Sequence, residues 1–349
     1  MKKYVITIFS LCVITTGIFA QNQKVIVVSK QNQQAERLYN EAVSLYGQKK
    51  YDAAVTNLNN ALKTNDKLKD AYILLANIQL DRNERLEAIR TFLRLSEKLQ
   101  QKDTAYYMIS KVYYDMENYK SALEYAQMAV RSNSSNYRTQ YLKGLCNFKL
   151  NQYEEAINDF SAAINLKETS AELFNDRGSA YCKVERYEEA IEDFSEAIHI
   201  NGIPLYYINK GSAEFASENF EQAIEDFSTA IQLDKDNYEA YLNRGVARLA
   251  SSYFQEAFED FSKCIQLNDK SSAGYNYRGI ANFKMKKYQE AVSDFDVAIV
   301  LNPKYGEAYL HRGNAKEMLR DPLHACMDWI KAAGMGVKKA EEYVNNQCK

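Results

Sequence analysis

Three kinds of residue in this sequence of 349 residues could do chemistry: adjacent carboxylates, histidines and cysteines. Adjacent carboxylates can act as acid and base on one substrate. Here Glu154-Glu155 and Glu188-Glu189 instead open amphipathic stretches, where negative charge favours a helix N-terminus. His199, His311 and His324 lack the spacing of a metal set, and the chain holds no CxxC, HExxH, GxSxG or glycine-rich phosphate loop. No catalytic residue, metal or cofactor is expected, and the chain reads as a non-enzyme. Cys146 and Cys264 fall on small or apolar positions, where thiols serve as packing.

The charged residues that do recur belong to a repeated element. RYEEAIEDFSEAI at 186–198 returns as QYEEAINDFSAAI at 152–164, NFEQAIEDFSTAI at 219–231, YFQEAFEDFSKCI at 253–265 and KYQEAVSDFDVAI at 287–299. Anchored on its alanine, the element recurs at Ala54, Ala88, Ala122, Ala156, Ala190, Ala223, Ala257, Ala291 and Ala325, at intervals of 34 residues with one of 33. Twelve residues before each alanine stands a small residue, Gly in the last six copies; four after it stands an aromatic in most. Small residues let two helix backbones approach, and the aromatic fills the gap beside them. Each copy reads as two helices joined by a polar turn such as KVER or ASEN, and no copy can bury its apolar face alone.

The residue before each Gly is a cation and the residue before each aromatic is an acid: Lys143/Asp159, Arg177/Asp193, Lys210/Asp226, Arg244/Asp260, Arg278/Asp294 and Arg312/Asp328. The first three copies carry Glu41/Asn57, Leu75/Thr91 and Ile109/Tyr125 instead. Joint presence predicts contact, within a repeat or between stacked neighbours, because an unpaired charge at a packed crossing is costly.

Aromatic, Gly, Tyr, A-x3-F and a small residue, seen as Phe174, Gly178, Tyr181, Ala190, Phe194 and Ala197, resemble the tetratricopeptide repeat. The resemblance implies an all-α, right-handed superhelical solenoid of nine repeats that holds a protein or peptide in a concave groove lined by first helices. Carried onto this chain, the groove residues are Tyr39, Tyr46, Tyr107, Tyr114, Tyr141 and Phe148 in the N-terminal half. Asn175, Asn209, Asn243, Asn276 and Asn314 follow, with Ser179, Ser212, Phe215 and Phe283. A tyrosine-lined half could instead hold a glycan or serve envelope assembly. The family's Pro survives only as Pro303, and its carboxylate clamp for a peptide C-terminus is not matched.

Divergent copies occupy 35–136 and regular copies 137–339, after a polar flexible leader at 21–34 and before a capping helix at 340–349. Lys2-Lys3 and the apolar run Tyr4 to Ala20 form a secretory signal pattern over 1–20, cut after Ala20 or kept as a membrane anchor. It resembles the export signals of Gram-negative bacteria, so a periplasmic or secreted location is expected. The charge balance, 44 Lys+Arg against 46 Asp+Glu, offers nothing to attract nucleic acid. A turn around Gly334-Met335-Gly336 makes the last two helices antiparallel and brings Cys326 to the level of Cys348 within about 6 Å, so a disulfide is expected there.

Overall fold

The computed structural model describes residues 30–167 and 169–348. The signal at 1–20 lies outside the described residues, as does the leader up to 29; over 30–34 the chain is already helical. The first helix, α1, covers 30–47. It is followed by α2 (Tyr51–Thr64), α3 (Lys69–Asp81), α4 (Arg85–Lys98), α5 (Asp103–Asp115), α6 (Tyr119–Ser132), α7 (Tyr137–Lys149) and α8 (Tyr153–Leu166). Then come α9 (Ala171–Lys183), α10 (Tyr187–Ile200), α11 (Pro204–Ala216), α12 (Phe220–Leu233), α13 (Tyr238–Ala250) and α14 (Phe254–Leu267). The last are α15 (Ser272–Lys284), α16 (Tyr288–Leu301), α17 (Gly306–Met318), α18 (Pro322–Ala333) and α19 (Lys338–Gln347). Among the described residues every regular element is a helix.

Two compact units divide the chain, Met1–Leu166 and Lys167–Lys349. Among the described residues the first holds four helical hairpins, α1–α2 to α7–α8, and the second five, α9–α10 to α17–α18, with α19 after them. The boundary thus falls one copy later than the change in composition at 136/137. Repeat arrays are held by nearest-neighbour packing, so a shift in surface residues does not by itself create a boundary.

Every hairpin turns in the same way. Lys49, Asn83, Glu117, Asn151, Glu185, Glu218, Ser252, Lys286 and Arg320 adopt positive φ, none of them glycine. Such a residue costs roughly 1 kcal/mol or more, and the turn offsets it with a backbone bond six residues wide. Arg186 N donates to Tyr181 O at 3.0 Å, and Tyr253 N to Arg248 O at 2.8 Å. Side-chain caps start several helices: Asn237 Oδ1 accepts from Ala240 N and Ser271 Oγ from Gly274 N, both at 3.0 Å.

Between turn and cap, the two helices cross at the glycine. A methyl group at Gly245 would lie 2.5 Å from Phe261 Cε1, and at Gly279 it would lie 2.6 Å from Phe295 Cε1. Phe160, Phe194, Phe227, Phe261, Phe295 and Trp329 are fully buried against these crossings. Beside each aromatic the preceding acid is buried too, and the cation sixteen residues earlier reaches it within the same hairpin. Arg177 grips Asp193 with two parallel bonds, Nε–Oδ2 at 2.8 Å and Nη2–Oδ1 at 2.7 Å. Lys143 meets Asp159 at 2.6 Å, Lys210 meets Asp226 at 2.7 Å and Arg278 meets Asp294 at 2.6 Å. Arg244 reaches Asp260 at 2.6 Å and Arg312 reaches Asp328 at 2.5 Å.

A third position completes the waist. The residue twelve before the acid, whose carbonyl closes the turn, also turns its side chain inward. Asn147 Nδ2 donates to Asp159 at 2.7 Å and Asn282 Nδ2 to Asp294 at 2.9 Å. Arg248 and Lys316 supply second cations, at 2.6 Å to Asp260 and 2.8 Å to Asp328. The divergent copies fill the same positions without an inward ion pair: Thr91 donates to Gln79 at 2.8 Å, and Tyr113 stacks on Tyr125 with centroids 5.7 Å apart.

The chain ends in a cap. Val337, Tyr343 and Val344 pack α19 against Ala325, Trp329 and Ala332, and Tyr343 stacks on Trp329 at 4.9 Å. Gly336, at φ +86°, makes the turn, and a disulfide joins Cys326 to Cys348 with Cα atoms 5.5 Å apart.

The shared and unshared acids give a test. Arg177→Met leaves Asp193 buried without its ion-pair partner, and should cost on the order of 3 kcal/mol. Arg244→Met leaves Asp260 still paired with Arg248, and should cost about half as much. Urea unfolding midpoints of the two variants measure the difference; equal losses would show that Arg248 carries none of the compensation.

Candidate functional site

In the second unit each first helix packs on the next first helix as well as on its own partner: α9 on α11, α11 on α13, α13 on α15 and α15 on α17. In the first unit α5 meets α7 in the same way. The first helices thereby form a continuous face in the second unit, and the residues expected to bind lie on first helices of both units.

The aromatic set of the first unit is half-buried and engaged with its neighbours. Tyr39 packs against the core of the first hairpins, and Tyr46 donates its hydroxyl to Asp81 at 2.8 Å beside the Tyr51 ring. Tyr107 and Tyr114 lie against Ala122, Leu142 and Cys146, and Tyr114 meets Tyr119 edge-on at 5.3 Å. Tyr141 leans on Phe160 at 5.8 Å, and Phe148 meets Tyr153 edge-on at 5.5 Å. These rings stiffen the hairpins from the face rather than standing free upon it.

The asparagines do not share one position. Asn175 and Asn276 sit three residues before their glycines, where the other copies of the second unit carry Ile208, Leu242 and Leu310, and both are buried. Asn175 Oδ1 accepts from Asn209 Nδ2 of the next repeat at 2.7 Å. Asn276 Nδ2 donates to the Tyr305 hydroxyl at 3.3 Å, and its Oδ1 lies 3.2 Å from His311 Nδ1. This corrects the expectation that Asn175 and Asn276 face a ligand: burial obliges their amides to pair with protein, and they join repeats. Asn243 stays half-buried on its helix, and Asn314 Oδ1 accepts from Trp329 Nε1 at 2.9 Å.

One concavity on the second unit's face has the character of a site. A cavity of about 160 Å³ opens between α15 and α17, lined by Ile280, Phe283, Lys284, Phe295, His311 and Asn314. Its walls are mainly apolar. The bond from Asn276 Oδ1 places a proton on His311 Nδ1, which leaves Nε2 as an acceptor. Burial pushes the His311 pKa down to about 4, so the ring is neutral near neutral pH. With Asn314 Oδ1 taken by Trp329, its amide group is the end that can donate to a ligand. Lys284 is exposed and brings the one cationic charge to the lining.

Sequence reasoning placed Phe283 and Asn314 here but missed His311, Ile280 and Lys284. His311 drew notice only as a histidine without metal spacing. The signal was present: it stands two residues before its glycine, where the earlier copies of this unit carry Asp176, Asn209, Asn243 and Tyr277.

The buried acids respond to their surroundings. Burial raises the Asp193 and Asp159 carboxyls, and Arg177 and Lys143 pull them back. In the sixth copy the inward third position holds an acid, Glu214, beside Asp226, with Lys210 bridging at 3.1 Å and 2.7 Å. Burial, then the Asp226 charge, push Glu214 up to about 7. Its Oε2 finds no donor, and protonation turns it into a donor toward Asp226. Because the folded pKa lies above the unfolded value of 4.5, the native state binds the extra proton between about 4.5 and 7. Stability from this group is therefore full at low pH and lost as pH rises through 7. Glu214→Gln should keep the hydrogen bond to Asp226, flatten that slope and raise stability at pH 8 by roughly 1–2 kcal/mol. Urea midpoints of both proteins across this range check it; parallel pH profiles would place the titration elsewhere.

Comparison with known proteins adds the family. Models described as tetratricopeptide repeat match residues 39–103, and as TPR repeat 144–184 and 211–252. That of the anaphase-promoting complex, cyclosome, subunit 3 matches 87–163. No curated protein matches. Among solved structures, a tetratricopeptide repeat protein from Parabacteroides merdae is 19% identical, with a TM-score of 0.58 over 71% of this chain and 99% of its own. The C-terminal part of a TPR repeat-containing protein from Cytophaga hutchinsonii is 19% identical, with a TM-score of 0.51 over 76% and 97%. The APC/C hetero-tetramer Cut9–Hcn1 gives 14%, 0.54, 90% and 76%. Nine hairpins among the described residues, closed by one kind of turn, built on a repeat of 34 residues and matched by these models, make this chain a tetratricopeptide repeat protein.

Proposed function

We propose that the protein is a non-enzymatic scaffold that takes an extended peptide or protein segment along the first-helix face of its second unit. Repeat proteins of this fold serve generally as protein–protein interaction scaffolds. The observation that carries the finer reading is the cavity between α15 and α17. An apolar cavity of about 150 Å³ holds a benzene-sized group, so this one suits a single leucine- or phenylalanine-sized side chain. His311 Nε2 and the Asn314 amide supply one acceptor and one donor, the pair that a peptide unit presents in reverse. Lys284 at the rim favours a carboxylate next to the anchor residue. The glycan reading has less support, because tyrosines such as Tyr46 and Tyr114 already pack on neighbouring rings.

We also infer export, from the Lys2-Lys3 and apolar pattern of 1–20 and from the cysteine pair at 326 and 348, which an oxidising compartment would keep joined. Among the described residues no helix is long and apolar enough to cross a membrane.

Peptide and glycan arrays probed with the protein test the binding reading, followed by anisotropy titration of the bound sequences. Peptides with an apolar residue beside an acid should dominate. Lys284→Glu should weaken them about tenfold, near 1.4 kcal/mol, while sparing neutral peptides; Phe283→Ala should weaken both. Capture of glycans with no peptide, or peptides indifferent to both variants, would reject it.

A further inference from the structure

In the last hairpin three large apolar side chains stand exposed at positions that are polar in the rest of its unit, whereas α16 exposes Val297, Val300 and Leu301 at other positions. In α18, Leu323, Met327 and Ile330 are 69%, 60% and 56% exposed. Their spacing of four and three places them on one stripe of the helix. The same three positions in the preceding copies of the unit are Glu188, Glu192 and Ser195; Glu221, Glu225 and Ser228; Gln255, Glu259 and Ser262; and Gln289, Ser293 and Asp296. The first two positions are exposed and polar in those copies; the third meets the following hairpin, where Ser228 accepts from Arg244 and Asp296 from Arg312. In α18 all three are exposed and apolar. The turn leading into α18 adds exposed Met318 and Leu319. Isolated apolar residues on a surface mean little, but a contiguous patch of several hundred Å² marks an interaction site.

We propose that this stripe is the contact of a two-fold symmetric dimer, in which α18 of one chain lies antiparallel on α18 of a second copy. The arrangement follows from the helix itself. In an antiparallel pair the residue numbers facing each other have a nearly constant sum. Centring on Met327 sets it against its own copy on the two-fold axis and sets Leu323 against Ile330 of the second copy. The flanks then agree in charge. His324 and Lys331 lie two turns apart on the same edge of the stripe. The two-fold axis brings Lys331 of each chain to the level of His324 in the other. There His324 Nδ1 holds the Asp321 carboxylate at 2.8 Å, so the lysine meets an acid. The helix dipoles also oppose in this orientation. A self-complementary patch of this kind is what an isologous contact requires.

The stripe offers three large apolar side chains from each chain, so the contact falls at the small end of specific interfaces. The dimer should therefore be of modest affinity and concentration-dependent. The cap keeps the surface in place: the Cys326–Cys348 bond and the Trp329–Tyr343 stack fasten α19 to α18 and leave the stripe exposed. The contact uses neither the first-helix face nor the cavity at His311, so it stands independently of the proposed peptide binding.

Sedimentation velocity across a dilution series, with the disulfide intact, should show a reversible monomer–dimer equilibrium. The triple variant Leu323→Gln, Met327→Glu, Ile330→Ser installs the residues of the seventh copy, which this fold already accepts at that register. It should weaken the dimer at least tenfold and leave helix content and melting unchanged. Lys331→Glu, a single exposed change, should weaken it several-fold and reverse the salt dependence. A monomer at every concentration would overturn the proposal, as would a dimer indifferent to both variants. So would a stripe that binds anionic phospholipid vesicles while the protein stays monomeric.

Discussion

The rest of the structure depends on one close approach: two helices crossing with a glycine against an aromatic ring. At Gly245 there is no room for even a methyl group before Phe261. That distance brings a cation one residue before the glycine within reach of an acid one residue before the ring, and it shuts out the water that would otherwise solvate both. A carboxylate in such a place must be matched, because a lone buried charge costs several kcal/mol. Each regular hairpin matches it from the opposite helix, and most add a second polar group from the turn. The divergent copies remove acid and cation together and put a hydroxyl–amide bond or a tyrosine stack in their place. Losing both partners is tolerable where losing one is not, which accounts for the all-or-none pattern within this chain.

With the waist fixed, variation is free to move outward, and the two outer faces carry different information. On the first-helix face, positions near the glycine change from copy to copy. Two of them, Asn175 and Asn276, are drawn inward to bond with the next repeat. His311 is turned by one such bond into a neutral acceptor at the wall of a cavity. On the second helices, the positions held by Leu323, Met327 and Ile330 in α18 are polar in the preceding copies of the unit. A rigid periodic frame makes both departures readable, since every copy serves as the control for the others.

The inward third position shows how one residue can hold two tasks. Its carbonyl closes the left-handed turn, so its place is fixed by the backbone, and in five of the six regular copies its polar side chain lies beside the buried acid. Asparagine, arginine and lysine there strengthen the waist. Glu214 instead sets two carboxylates around one lysine and makes that hairpin sensitive to pH. The frame tolerates this because Lys210 reaches both acids, and because a proton can stand in for a second cation.

Nearly all of the architecture was legible in the sequence. The 34-residue period, the small residue twelve before each alanine and the aromatic four after it imposed helical hairpins, their number and their order. The joint presence of cation and acid predicted a contact but not its partner, since intra-repeat and inter-repeat pairing share the same period. The turn at Gly334-Met335-Gly336 likewise placed Cys326 near Cys348. Sequence alone could not tell which face residues would stand free. Tyr107, Tyr114 and Asn276 have the types of a binding surface, yet are absorbed by packing, whereas His311, Ile280 and Lys284 line the cavity without forming any motif. The physical reason is one of range. Periodicity is local and records which residues share a helix face. Burial and cavities arise where neighbouring hairpins meet, and there the fit of particular side chains across the gap decides the outcome.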